Sequence, residues 1–300
     1  MTIEPPAAGE PRRPHGPRAP GDAWVVAPTG ERYWGRFGAA GLLAIDAERG
    51  VLLQHRVSWS HFGDTWALPG GARHEGESAF DGAFREAAEE AGVPGAAVQP
   101  RVLSVFDLGY WSYTTVVGDV MVPFAPTISD PESRELAWVP IDEVTRYPLH
   151  PGFAASWERM RGLLGMRPAV IVDVANVMGS VPDGWWRDRP GAASRLIARI
   201  ADVAAHGVPA SALEMPEQTW YPEWTAVVEG RARGVEGDAG VELVRAEASG
   251  DDAIVLATQQ ALAAGRRVTV VTSDRGLSAR VTGAGAAVRG ARWLLDLLER

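Results

Sequence analysis

Residues 71–93 read GARHEGESAFDGAFREAAEEAGV, with Gly71, Glu77, Arg85, Glu86, Glu89, Glu90 and Gly92 as fixed points and apolar Ala87 and Val93 among them. These types at this spacing suit metal-assisted chemistry on phosphate. Glu86, Glu89 and Glu90 stand at i, i+3 and i+4, so on a helix their carboxylates converge. Three converging like charges repel unless a cation neutralises them, and a hard divalent ion, Mg2+ or Mn2+, takes oxygen ligands of this kind. Gly70, Gly71 and Gly76 allow a tight loop whose carbonyls can approach a metal. Glu77 is spaced to reach back and orient Arg85. A solvated acidic helix face is the ordinary reading of an isolated ExxEE; the full set of spaced positions argues for the functional one.

The element that must carry these groups is a helix over 78–91. Phe80, Phe84, Ala87, Ala88 and Ala91 recur at helical spacing and are expected to face a core, with the three glutamates on the opposite side. Gly92 is its expected stop. Upstream, GAAGLLAID and VLLQHRV form a hairpin around AERG within residues 36–56. WSHFGDTWALPGG follows and places Trp66 and Leu68 on the strand feeding the glycine loop. Trp66 and Trp59 have faces that accept a nucleobase, although buried packing serves either equally well. Downstream, RVLSVFDLG and YTTVVGDVMVPF alternate as antiparallel strands. ELAWVPIDEV reads as a strand and then a helix, and HPGFAASWERMRGLL as an amphipathic helix. Residues 165–168 are a linker.

The glycine-glutamate stretch resembles the Nudix box, G-x5-E-x7-R-E-U-x-E-E-x-G-U with U apolar, at every defined position. The resemblance implies an α/β/α sandwich with a mixed sheet over residues 23–165. It also implies hydrolysis of a nucleoside diphosphate linked to another group. Gly71 (by its carbonyl), Glu86, Glu89 and Glu90 are then the metal ligands, and Arg85 is oriented through Glu77. Glu90 is the base, or else Glu135 from outside the box, with Glu132 behind it. The Trp–x–LPGG approach is similar to MutT-type members, which implies a nucleoside triphosphate, standard or oxidised, cleaved to monophosphate and pyrophosphate. ADP-ribose or another nucleotide sugar is the other substrate class.

Residues 169–300 have a different grammar. Apolar runs (AVIVDVAN, WTAVVEG, VELVRAE, RRVTVVTSD) alternate with helical stretches, which implies a parallel three-layer α/β sheet buried on both faces. Asp173, Asn176, Glu229 and Asp274 fall at strand ends and Asp251 and Asp252 at a helix start, the edge where open α/β sheets place their sites. A second Mg2+ or Mn2+ site is the chemistry this suggests; helix capping is the plainer one. The pattern resembles PIN-like nucleases of the NYN type, with Glu229 where an Asp is usual, and implies a metal-dependent ribonuclease acting on RNA. A catalytically inactive module that binds a nucleotide or protein is the alternative. In GSVPDGWWRDRPG, Trp185 and Trp186 are placed to stack on bases or to pack the loop down, and Arg187 and Arg189 to meet phosphates.

Length and composition frame this two-part reading. Three hundred residues with 46% apolar content can build two cores. Residues 1–22 are Pro-rich and aperiodic, so a disordered tail is expected. The chain has no Cys, which removes disulfides and thiolate metal sites, and a net charge of −9, which argues against a broad nucleic-acid surface. Neither a membrane-length apolar run nor a signal peptide is visible, and the cytoplasm is the expected compartment. The oligomeric state is left open.

Overall fold

The computed structural model describes residues 1–6, 21–182 and 184–299. It divides into two compact units, Met1–Leu163 and Leu164–Arg300. In the first, β1 (Thr2–Glu4), β2 (Trp24–Val26) and β3 (Arg32–Trp34) form a small antiparallel sheet. The tail expected over residues 1–22 is therefore ordered at its start. Thr2–Glu4 finds its ladder partner beyond the Pro-rich run, a non-local pairing that composition does not reveal. Residues 7–20 of that expected tail lie outside the described residues.

The main strands are β4 (Ala39–Asp46), β5 (Gly50–Arg56), β6 (Trp66–Ala67) and β7 (Gly70–Ala72), followed by helix α1 (Ala79–Ala91). Strands β8 (Val98–Asp107), β9 (Ser112–Val120) and β10 (Ser133–Val139) come next, then helix α2 (Pro151–Leu163). The sheet runs β10–β5–β4–β9–β8, with β6 on β5 and β7 on β4. All of these pairs are antiparallel except β4 with β9, so the sheet is mixed. The expected hairpin is present, with Asp46 opposite Gly50. Asp46 closes its turn by accepting the backbone N–H groups of Glu48 and Arg49. After β10 the chain makes only a short 3-10 turn, Val144–Arg146, where a helix was expected.

Every residue of β4 is buried, as a central strand between β5 and β9 requires. Helix α1 packs Ala83, Ala87 and Ala91 onto Ala40, Leu42 and Ala44, with Leu52 and Val116 in the same cluster. Ser78 caps it by accepting the Asp81 N–H. Gly92, at φ 62°, ends it and donates to the Ala87 and Ala88 carbonyls. The faces differ from the sequence expectation. Ala88 is exposed, Phe80 and Phe84 are half-buried, and Glu86 and Glu90 are buried on the same stripe as Ala83, Ala87 and Ala91. The cause is the surface beneath. Gly71 in β7 has no side chain where a Cβ would meet the Glu86 carboxylate, and Glu90 reaches the Gly70 N–H beside it.

The second unit begins with β11 (Pro168–Asp173), α3 (Val174–Gly179) and α4 (Arg189–His206), then the short antiparallel pair β12 (Val208–Pro209) and β13 (Thr219–Trp220). It continues with β14 (Glu223–Val228), β15 (Val241–Arg245), α5 (Gly250–Ala263), β16 (Arg267–Val271), α6 (Arg275–Ala284), β17 (Ala287–Arg289) and α7 (Ala291–Leu298). Its main sheet is parallel throughout, in the order β15–β14–β11–β16–β17. Strand order reverses between β11 and β16, the topological switch point of a doubly wound sheet. Helices α5 and α6 bring Ile254, Leu277 and Val281 onto Ile171, Val227 and Val270. Strand β11 is buried along its length, so both sheet faces are covered. Among the described residues no helix is long and apolar enough to cross a membrane.

Candidate active site

In the first unit, Arg85 organises the acidic cluster. Its Nε donates to Glu77 Oε1 at 2.7 Å and its Nη2 to Glu77 Oε2 at 2.9 Å, a two-pronged ion pair. Nη2 also reaches the Ala72 carbonyl at 3.0 Å, and Nη1 reaches Glu86 Oε1 at 2.7 Å and Glu89 Oε2 at 3.4 Å. Glu77 accepts the His74 N–H as well, at 2.9 Å. These bonds from Arg85, with that N–H, hold the Glu77 carboxyl down to about 2, and the same pairing raises Arg85.

Glu86 and Glu90 are 5% and 2% exposed. Glu90 Oε2 accepts the Gly70 N–H at 2.8 Å. Burial first, then the Glu86 charge, push Glu90 well above the usual carboxylate range. A Cβ at Gly71 would stand 2.8 Å from the Glu86 carboxyl carbon, so glycine is needed for the carboxylate to lie against the strand. Two buried carboxylates facing a glycine backbone are a donor set that fits a hard divalent cation. Among the described residues, no group of three or more His, Asp or Glu side chains is placed to hold a metal ion. The Arg85 guanidinium lies on Glu86 and Glu89.

Several residues at this site were not legible in the sequence. Arg56, the last residue of β5, donates to the His61 carbonyl at 3.3 Å, and its charge acts on Glu90, His61 and His150. Burial, then Arg56 and His61, lower His150 to about 4; burial and Arg56 also lower His61. Both imidazoles are therefore neutral near pH 7. Tyr113 is half-buried, with its hydroxyl where a methyl at Gly41 would fall and against one at Gly70, and desolvation, then the Glu90 charge, raises its pKa. An Arg closing an apolar strand just before the glycine loop was the one available signal. Glu132 contributes charge at Glu90, whereas Glu135 lies 4.0 Å from His55 Nδ1 with its side chain 62% exposed. Trp66 does not present a free face. It is buried, stacked on His55 at 4.7 Å and edge-on to Tyr147 at 4.9 Å, because β6 pairs beneath the loop. Trp59 and Phe62 are the exposed aromatic residues of that loop.

In the second unit the acids divide. Asp173 caps α3 by accepting the Asn176 N–H at 3.0 Å and accepts the Thr272 hydroxyl at 2.9 Å across the switch point. Asn176, in α3 rather than on the strand, accepts the Ser273 N–H at 2.8 Å. Burial first, with the Asp251 and Glu229 charges adding to it, raises Asp173 despite those hydrogen bonds. Asp252 and Asp274 do not join that group. Asp252 pairs with Arg280 at 2.6 Å, and Asp274 caps α6 through the Leu277 N–H. Ser249, not either aspartate, caps α5. Arg189, the first residue of α4, lies 5.1 Å over the Trp185 ring, while Trp186 and Arg187 before it face solvent.

Comparison with known proteins bears on the first unit. The NUDIX domain family model matches residues 35–159. The chain is 49% identical over 154 residues to "Putative 8-oxo-dGTP diphosphatase 3" of Mycobacterium tuberculosis, covering 48% of this chain and 70% of that protein. It is 39% identical over 156 residues to a "Nucleoside triphosphate pyrophosphatase/Nudix hydrolase fusion protein" of Bifidobacterium longum, covering 48% of this chain and 32% of that one. Among solved structures, a Nudix hydrolase from Mycobacterium smegmatis, RenU, is 47% identical, with 48% of this chain and 95% of that chain covered and a TM-score of 0.45. An intact box on a helix over a mixed sheet, a family match across it and a relative of 49% identity agree: this chain belongs to the Nudix hydrolase family.

Proposed function

We propose that the first unit, over residues 23–165, hydrolyses a nucleoside triphosphate, standard or oxidised, to a monophosphate and pyrophosphate. The observation that carries this reading is the buried Glu86–Glu90 pair against Gly70 and Gly71, braced by Arg85 and Glu77. The relative named for 8-oxo-dGTP supports the substrate class. A divalent cation, Mg2+ or Mn2+, supplies charge neutralisation on the diphosphate and makes the attacking water more acidic. The Gly71 carbonyl, Glu86, Glu89 and Glu90 would hold it. Arg85 keeps Glu77 while it yields Glu86 and Glu89. Glu90 would take the water's proton, as a carboxylate that a cation bound beside it would keep ionised. Arg56 meets a phosphate oxygen, and Trp59 and Phe62 offer the faces for a base that buried Trp66 does not. Water attacks phosphorus and pyrophosphate leaves. Incubating the protein with Mg2+ or Mn2+ and standard or 8-oxo triphosphates, ADP-ribose and nucleotide sugars, with products identified by mass, tests this. Monophosphate and pyrophosphate from triphosphates support it; turnover confined to ADP-ribose or sugar nucleotides overturns the substrate class.

A second reading concerns residues 169–300. The Asp251 and Glu229 charges reach Asp173 at the carboxyl edge of a parallel sheet. That placement favours the PIN-like, NYN-type reading, a metal-dependent ribonuclease with Asp173 central. RNA cleavage lost in Asp173→Asn supports it; equal cleavage in that variant contradicts it.

A further inference from the structure

Beside those carboxylates, the second unit contains a cleft of about 190 Å³. Val174, Ala175 and Met178 of α3 form an apolar wall, Trp185 supplies an aromatic ring, and Arg189 and Glu229 supply opposite charges. The volume is below the roughly 300–1,000 Å³ of sites for drug-sized ligands, and it suits one flat ring system. Glu229 is fixed by the Gly250 N–H, which donates to its Oε2 at 3.0 Å. A carboxylate accepts from several donors, so Glu229 keeps capacity for ring N–H groups. Trp185 lines the cleft, and a base stacking on its ring would take the place of the Arg189 guanidinium that lies 5.1 Å over it. Arg189, exposed and lying over that ring, is placed for a phosphate at the mouth.

We propose that this cleft binds one nucleotide through its base, with guanine favoured. Guanine presents two adjacent N–H donors to a carboxylate. Uracil presents one N–H between two carbonyls, which the carboxylate repels. An apolar wall alone would accept any ring; the Glu229 carboxylate at its end supplies the choice. The nucleotide can be free, as is the monophosphate that the first unit is proposed to release, or part of single-stranded RNA. The site stands whether or not the neighbouring acids cut RNA.

Calorimetric titration of the full-length protein in EDTA with GMP, UMP and a short G-containing RNA tests the site. GMP is expected to bind about tenfold tighter than UMP, the scale of one base contact. Ala175→Leu, which fills the cleft, and Trp185→Ala each lower GMP affinity by about tenfold, while Trp185→Phe retains most of it. Glu229→Gln removes the GMP preference. Unfolding midpoints establish that each variant is folded. RNA binding much tighter than GMP, with the same variant losses, identifies RNA as the source; equal binding identifies the free nucleotide. Photolabelling with 8-azido-GMP distinguishes this cleft from the Nudix site, with label expected on peptides spanning 174–189. Label confined to residues 35–159, or GMP and RNA affinities unchanged in both Ala175→Leu and Trp185→Ala, overturns the proposal.

Discussion

Glu86 and Glu90 are buried carboxylates that share one stripe of α1, and a guanidinium and a backbone N–H partner them. Their types and spacing were legible in the sequence; their burial was not, because it depends on glycines in strands that meet the helix only in three dimensions. Gly71→Ala is the direct probe. The added methyl displaces the end of a flexible side chain, so stability falls by only about 1 kcal/mol. The carboxylate moves, and kcat is expected to fall about 100-fold, as ångström-scale misplacement does. Unchanged kcat would show that Glu86 acts from some other position. Glu77 supports a pH prediction. Its carboxyl is held at about 2 against an ordinary 4.5, so its ion pair stabilises fully above about pH 4.5 and is lost as pH falls from there towards 2. Glu77→Gln should therefore lower the unfolding free energy at neutral pH by about 1–3 kcal/mol for a lost bond to a charged group, read by urea titration. The gap from the wild type should narrow below about pH 4.5 and close near pH 2. A gap that stays constant with pH contradicts this account of the Glu77–Arg85 pair.

At the scale of elements, the sequence's punctuation was the most readable feature. The turn at residues 46–50, the stop at Gly92 and the alternation of strands and helices after residue 168 all follow from local chemistry. Faces and partners were harder to read. Ala88 is an apolar residue at helical spacing that nonetheless faces solvent, and Trp66 is a stacking candidate that its own strand buries. Asp252 and Asp274 share the edge that Asp173 occupies, yet one is held by Arg280 and the other caps a helix. Such choices depend on long-range packing. Gly92→Ala tests the element that carries the box. Gly92 has φ 62°, and a Cβ there would overlap Thr127 Oγ1. Forcing a left-handed alanine should lower stability by about 1–2 kcal/mol, read as a shift in thermal midpoint, with KM unchanged. An unshifted midpoint would mean that the helix stop relaxes at no cost.

At the scale of the whole molecule, a net charge of −9 makes two kinds of cation effect separable. Diffuse screening by a divalent salt acts on every surface carboxylate and raises all variants alike. A cation held by Glu86 and its neighbours stabilises only a chain that retains them, by about 2.7 kcal/mol at a hundred times Kd. Titrating Mg2+ or Mn2+ should therefore raise the thermal midpoint of the wild type and leave Glu86→Gln where it began; equal rises would assign the effect to screening. The two-part organisation was visible as a change of grammar near residue 165. The strand order β15–β14–β11–β16–β17 was not, because parallel neighbours are chosen by crossovers rather than by adjacent turns. The most direct measurement on the central claim is pyrophosphate release from a triphosphate by wild type, Glu89→Gln and Asp173→Asn, side by side with Mg2+ or Mn2+. Release abolished in Glu89→Gln and intact in Asp173→Asn is the predicted result. Release that survives Glu89→Gln would contradict it.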